Sequence, residues 1–218
     1  MEIRKNIICL LVYLLLVTFA GSRFCFANTF EENNNKPKLE RILVTETAPL
    51  NLEELTNAAD RIFTGYCTKI EEIENDSESK LPVIKYKFKI VETIKGTANK
   101  KEIAFKQWQY SVREAPFQKG KKYVVFLHPG SERGLTSPVG FLQGRFDIES
   151  RGLVKRNEFV RNKLGNRGLA KNLKTRKEIN ISNDKFINDY IHNCSENGAP
   201  IRYKEFVKAV RYLISKNE

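Results

Sequence analysis

Residues 83–90 read Val-Ile-Lys-Tyr-Lys-Phe-Lys-Ile, and this stretch decides the fold class. Lysines at 85, 87 and 89 alternate with apolar or aromatic side chains, within a longer strand-like run from Leu81 to Ile94. A period of two places one face of a β-strand on a core and the other in water. The composition of residues 94–97, Ile-Lys-Gly-Thr, is typical of the turn that ends such a strand. We therefore predict a long strand with an apolar face and a lysine face.

Similar strand signals lie on both sides of this stretch. Residues 61–70 are rich in β-branched and aromatic side chains, and residues 122–127 are almost entirely apolar, as in a central strand. Two further strands are predicted over 101–108 and 141–148. Five or more short strands with little helix between them predict a mainly β domain, either a small barrel or a sandwich.

Helices are predicted on either side of the strands. A short helix should follow Pro49, with Asn51 as its N-cap and Glu53 and Glu54 in its first turn. Near the end of the chain, apolar residues recur at helical spacing over 186–194 and again over 203–214. This spacing predicts a C-terminal pair of amphipathic helices that cover the barrel or each other.

The first residues have the pattern of a signal peptide. Arg4 and Lys5 precede an apolar run of fourteen residues, 7–20, and small residues stand at the cleavage position before Asn28. A helix that spans a bilayer needs about twenty apolar residues. We therefore predict cleavage after Ala27 and a secreted or periplasmic protein without a transmembrane span.

The chain then divides into segments by composition. Residues 28–50 are polar enough to predict a flexible leader. The predicted organisation is a signal peptide over 1–27, a leader over 28–50, a β-barrel domain over 51–154, a basic linker over 155–182 and a helical extension over 183–218.

Cysteine and histidine usage indicates no metal site. After signal cleavage only Cys67 and Cys194 remain, and they could either form a disulfide or be buried as two separate thiols. Neither belongs to a Cys-x-x-Cys pair, and His128 and His192 are far apart. We expect no cofactor.

Most of the positive charge lies in one segment. Residues 151–182 hold ten basic and two acidic residues, whereas the rest of the mature chain is nearly neutral. Such a segment could bind a polyanion, namely nucleic acid, an anionic membrane surface or an acidic envelope polymer, or it could be a solvated linker. The candidate polyanion-binding residues are Arg151, Lys155, Arg156, Arg161, Lys163, Arg167, Lys171, Lys174, Arg176 and Lys177.

Four stretches of the β-region resemble the netrin-like, tissue-inhibitor-of-metalloproteinase-like family. They are residues 59–67, beginning Ala-Asp, residues 86–96, ending Lys-Gly, residues 116–127, and residues 139–146. The last is similar to a strand of uncharacterised exported bacterial proteins of this type. The resemblance implies an OB-like antiparallel β-barrel and a protein-binding role. The family's zinc-chelating N-terminal cysteine has no counterpart here, because the predicted mature chain begins at Asn28.

No motif indicates an enzyme. His128 follows a predicted strand, but Ser131 has no Gly-x-Ser-x-Gly context, and the glycines form neither a P-loop nor a dinucleotide fingerprint. A hydrolase that uses His128 is a remote third hypothesis. The leading hypothesis is an exported, non-enzymatic protein-binding module that modulates a secreted or envelope enzyme. Trp108 and Tyr110 are its candidate contact residues, unless Trp108 belongs to the core. The second hypothesis is polyanion or cell-surface binding through residues 151–182.

Overall fold

The computed structural model describes residues 48–97, 100–109, 117–151, 157–171 and 182–217. All of them belong to one unit, Thr45–Glu218. Within these described ranges the fold is mainly β, with seven antiparallel strands in one sheet and three helices. In chain order the elements are α1 (Leu52–Ala58), β1 (Arg61–Ile73), β2 (Val83–Lys95), β3 (Glu102–Trp108), β4 (Lys122–Leu127), β5 (Arg145–Ser150), β6 (Glu158–Asn162), α2 (Ser182–Glu196), β7 (Ile201–Arg202) and α3 (Tyr203–Asn217). The predicted signal peptide and most of the predicted leader lie outside the described residues.

The strands follow the order β3-β2-β1-β4-β5-β6-β7, and the sheet is not closed. The long strands β1 and β2 pair along their whole length, with register shifts that bend the pair. One short segment links the two sides of the β3-β2-β1-β4 portion. Leu135 forms an isolated parallel bridge with Lys106 in β3, and Pro138 forms an antiparallel bridge with Leu127 at the end of β4.

The short helix α1 forms as predicted. Asn51 accepts a hydrogen bond from the Glu54 amide at 2.9 Å, and Glu54 Oε2 accepts one from the Asn51 amide at 2.8 Å. This reciprocal capping box satisfies amides that the first helical turn leaves unpaired, and such an N-cap contributes about 1 kcal/mol. Leu52 and Leu55 are fully buried beneath it.

Two cores lie on opposite faces of the sheet. An aromatic core is centred on Phe88, whose ring lies 4.9 Å from that of Phe117 and 5.5 Å from that of Phe63. A helix-side core joins α1, α2 and α3 to β4, β5 and β6, and it includes a Phe146–Phe206 ring contact at 4.6 Å. Strand β4 contributes to both cores, which explains why its sequence is almost continuously apolar.

The C-terminal helices are confirmed, but they share a core with the sheet. Ile191 in α2 and Phe206 and Val210 in α3 are fully buried together with Leu52. Strand β7 also extends the sheet between the two helices. The helices are therefore integral to this unit rather than an extension beyond it.

The described part of the predicted linker is structured. Residues 158–162 form β6, which pairs with β5, and Val160 and Asn166 are fully buried. The linker prediction over 155–182 was wrong for residues 157–171. This segment has many charged side chains and few buried ones, so the alternation that marks a strand is not visible in its sequence. Among the described residues, no helix is long and apolar enough to span a membrane.

The predicted strand over 141–148 begins later, at Arg145. Residues 138–144 instead form two tight turns, in which the Phe141 amide donates to Pro138 O at 2.9 Å and the Gly144 amide to Val139 O at 2.7 Å. Gly140 and Phe141 both have positive φ, at 58° and 56°, which removes them from extended backbone.

Candidate functional site

The helix-side face of the sheet continues beyond the helices as an exposed surface on β1, β2 and β3, which we call the lysine face. It consists of Lys69, Lys85, Lys87 and Lys89, with Tyr66 and Trp108 at its ends. Cross-strand pairing brings these residues together, because residues directly opposite in antiparallel strands project from the same side. The pairs are Lys69↔Lys87, Tyr66↔Lys89, Lys85↔Lys106 and Val83↔Trp108.

The aromatic ends of the lysine face are exposed. Tyr66 is 42% and Trp108 is 44% exposed. Their partners in β2, Lys89 and Val83, are six residues apart. The two aromatic residues are therefore separated by about 20 Å along the strand direction. Trp108 is thus a surface residue, as the protein-binding hypothesis requires. Its predicted partner Tyr110 lies outside the described residues.

Two carboxylates lie among these lysines. Glu102 forms an ion pair with Lys87 at 3.0 Å, and Glu71 accepts a hydrogen bond from Lys69. The pKa of Glu71 is lowered, first by that hydrogen bond and also by the charges of Lys69, Lys85 and Lys87. Four lysines against two carboxylates leave the face positive but of mixed sign.

A buried carboxylate fixes one border of this face. Lys106 on β3 contacts Asp76 at 2.7 Å and Glu78 at 2.8 Å, both in the β1–β2 connection. Asp76 is almost fully buried and also accepts a hydrogen bond from the Ser79 amide at 2.8 Å. The hydrogen bond from Lys106, followed by that from Ser79, holds the pKa of Asp76 far below its usual range. The ion pair ties the long β1–β2 connection to β3.

Half of the predicted polyanion-binding residues are described, and four of these form one exposed turn. Arg161, Lys163, Arg167 and Lys171 are all exposed, and residues 161–171, here called the basic turn, contain no acidic residue. Arg151 stands apart, at the end of β5 beside Glu149 at 3.4 Å. The other five residues, Lys155, Arg156, Lys174, Arg176 and Lys177, lie outside the described residues.

Hydrogen bonds from Asn162 and Asn166 fix the backbone of the basic turn. The Asn162 amide donates to Asn166 Oδ1 at 2.9 Å, and the Asn166 amide donates to Asn162 Oδ1 at 2.8 Å. Asn166 Nδ2 donates to the carbonyls of Val160 and Ala199, both at 3.0 Å. These bonds attach the turn to β6 and to the segment that follows α2, so its basic side chains project from fixed backbone.

An uncharged loop adjoins the basic turn at the same end of the sheet. This tip loop, residues 138–144, exposes Phe141 and Leu142 by 46% and 41%. Asn162 Nδ2 donates to the Gln143 carbonyl at 3.3 Å and so links the loop to the basic turn. Residues 141–144 of this loop were predicted as strand, and the two consecutive exposed apolar residues were not recognised as a surface feature.

The cysteines and His128 were the remaining candidates for a reactive side chain. Cys67 and Cys194 are buried free thiols in different cores, and burial raises the pKa of Cys67 to about 11. A thiol of that pKa is protonated at neutral pH and is a poor nucleophile. His128 lies at the end of β4, where its amide donates to Ser137 O at 3.0 Å. Among the described residues, no group of three His, Cys, Asp or Glu side chains is placed to hold a metal ion.

A buried arginine was not identified from the sequence. The Arg145 guanidinium lies beside the rings of Phe117 and Tyr123, with centroids at 5.8 and 5.6 Å, and within 3.6 Å of Asp147. It occupies the aromatic-core side of β5. Its cation–π contacts indicate a role in packing and orientation of the core rather than in an exposed site.

No family model matches this chain, and no curated protein sequence matches it either. The functional proposals therefore rest on two surfaces. One is the lysine face, and the other consists of the adjoining basic turn and tip loop.

Proposed function

We propose that the chain is an exported, non-enzymatic protein-binding module whose lysine face docks an acidic partner protein, such as a secreted or envelope enzyme that it modulates. The observation that carries this proposal is the lysine strip on β1 and β2 with a half-exposed aromatic residue at each end. Export rests on the charged and apolar pattern of residues 4–27.

The proposed architecture is an OB-like barrel related to the netrin-like family. The order β3-β2-β1-β4 and the segment 135–138, which bridges both β3 and β4, support it. In OB-folds the face of strands 2 and 3 is a common binding surface. The lysine face occupies β2 and β3 together with the adjoining part of β1.

Mixed charge on the lysine face favours a protein over a uniform polyanion. Glu71 and Glu102 stand among the lysines and would repel the phosphates or sulfates of a polymer. A protein surface can place its own basic groups opposite them, and tryptophan and tyrosine are enriched where protein interfaces gain most of their energy. Complementary charge also orients the partner during encounter.

A pull-down with matched variants tests this proposal. The tagged chain from Asn28 is incubated with an extracytoplasmic fraction and washed at high salt. We expect one retained protein, lost from both Trp108→Ala and the double variant Lys87→Glu/Lys89→Glu. The control is Lys204→Glu/Lys208→Glu, which makes the same charge change on exposed positions of α3. Equal capture by all four proteins would contradict docking through the lysine face.

A second candidate function is polyanion or cell-surface binding through the basic turn. The observation that favours it is the set of four exposed basic residues on backbone fixed by Asn162 and Asn166. Binding of this kind should weaken steeply with added salt, unlike a packed protein interface.

A further inference from the structure

We infer that the basic turn and the tip loop together form a docking surface for an anionic phospholipid membrane. This inference rests on the second candidate function and specifies its ligand. Three of the most exposed large apolar side chains in the described residues occur here, Phe141, Leu142 and Leu164. They stand beside four exposed basic residues, Arg161, Lys163, Arg167 and Lys171.

Strand pairing places both parts at one end of the sheet. Phe146 near the start of β5 pairs with Asn162 at the end of β6, so the loop before β5 and the turn after β6 are neighbours. Residues 48–52 make hydrogen bonds to both parts. Gln143 Oε1 accepts a hydrogen bond from the Leu50 amide at 2.7 Å, and the Leu52 amide donates to Leu169 O at 2.8 Å.

The conformation of the tip loop is an additional observation. Phe141 has φ 56°, a region that bulky residues rarely adopt, and about half of the residue is exposed. Such strain persists only where the surrounding structure enforces it, and it is common at functional sites. Here the strained backbone holds an aromatic and a leucine side chain outward, next to each other.

Charge and apolarity together favour a membrane over a soluble polyanion. A soluble polymer would be bound by the basic residues alone and would gain nothing from Phe141 or Leu142. Peripheral membrane proteins combine both features, since lysine and arginine attract anionic headgroups while aromatic and leucine side chains enter the interface. The adjoining basic turn and uncharged tip loop match that arrangement.

Vesicle co-sedimentation of the chain from Asn28 tests the inference. We expect binding to vesicles of phosphatidylcholine mixed with phosphatidylglycerol and much weaker binding to phosphatidylcholine alone. Phe141→Ser/Leu142→Ser should lower the partition coefficient by about tenfold or more, as should Lys163→Glu/Arg167→Glu. The matched controls are Val91→Ser, an exposed apolar residue on β2, and Lys204→Glu/Lys208→Glu. Thermal unfolding of each variant establishes that it is folded.

A second readout locates the tip loop at the membrane. In a Trp108→Phe background, Phe141→Trp should show a blue-shifted emission on addition of the anionic vesicles. Absence of a shift, or equal loss of binding in the controls, would overturn the inference. A chain that binds soluble polyphosphate but not anionic vesicles would overturn the membrane inference and leave polyanion binding standing. Failure to bind either would reject both.

Discussion

Asn162 and Asn166 exchange hydrogen bonds, each backbone amide donating to the side-chain oxygen of the other at 2.9 and 2.8 Å. Asn166 is fully buried at φ 63°, and its Nδ2 satisfies the carbonyls of Val160 and Ala199. Asparagine tolerates this left-handed conformation better than other residues with a side chain. One amide therefore joins the end of β6, the basic turn and the segment after α2.

Loss of this amide should destabilise the protein. Asn166→Ala removes the side-chain hydrogen bonds to the carbonyls of Val160 and Ala199 and to the Asn162 amide, and it places alanine at positive φ. We therefore expect the free energy of unfolding to fall by about 2–4 kcal/mol. Asn166→Gly should recover part of this loss by relieving the backbone strain. Urea unfolding measures both, with Asn197→Ala at an exposed position just after α2 as the control, expected within about 0.5 kcal/mol of wild type. Equal midpoints for Asn166→Ala and the control would contradict the role of Asn166.

The tip loop should depend on Gly144. A Cβ on Gly144 would lie 2.6 Å from Val139 O and 2.8 Å from Val139 N, both backbone atoms that hold the loop. Gly144→Ala should therefore lower the free energy of unfolding by about 1–3 kcal/mol. Gly130→Ala is the matched control, because a Cβ added there would meet nothing within 4 Å and the φ of Gly130 is not in the left-handed region. Gly144→Ala should have a clearly lower melting temperature than Gly130→Ala. Equal melting temperatures would show that the tip loop does not need the close contact between residue 144 and the Val139 backbone.

Acid should weaken the protein partly through Asp76. The pKa of Asp76 is lowered in the folded state, chiefly by the hydrogen bond from Lys106. A carboxylate with a lowered folded pKa stabilises above its unfolded pKa of about 3.9, and this contribution disappears as the pH falls below that value. The free energy of unfolding of Asp76→Asn should accordingly fall less steeply below about pH 4 than that of wild type. The free energy of unfolding of both proteins is measured by urea titration at each pH. If it changed with pH equally in Asp76→Asn and in wild type, Asp76 would not contribute to the acid sensitivity.

In the chain from Asn28, Cys67 and Cys194 should behave as inert thiols. Cys67 is fully buried with a pKa raised to about 11, and Cys194 is buried in the other core. We expect a thiol reagent to label neither residue in the native chain at neutral pH and both in urea. Dithiothreitol should leave the melting temperature unchanged. A lower melting temperature under reducing conditions would instead demonstrate a Cys67–Cys194 disulfide.

The sequence predicted those helices and strands whose signals lie within a few neighbouring residues. The capping residues Asn51 and Glu54 define α1, and the lysine alternation at 85–89 defines β2, because each signal lies within a few neighbouring residues. The apolar run at 122–127 likewise gave β4 with its observed bounds.

Elements whose burial depends on distant partners were not predictable in the same way. Strand β6 spans only five residues, and its pairing with β5 and β7 has no local signature. Asn162 and Asn166 resemble ordinary turn residues until the fold brings Ala199 to them. The lysine face was visible as an alternation, but its aromatic ends became apparent only when the register placed Tyr66 beside Lys89 and Trp108 beside Val83.

The most direct test of the central claim is site-specific photo-crosslinking in the producing cells. A photoreactive amino acid replaces Lys87 on the lysine face or, as the control, Lys204 on α3. Docking through the lysine face predicts one discrete adduct with an extracytoplasmic protein from position 87 and none from position 204. No adduct from position 87, or the same adduct from both positions, would contradict the proposed function.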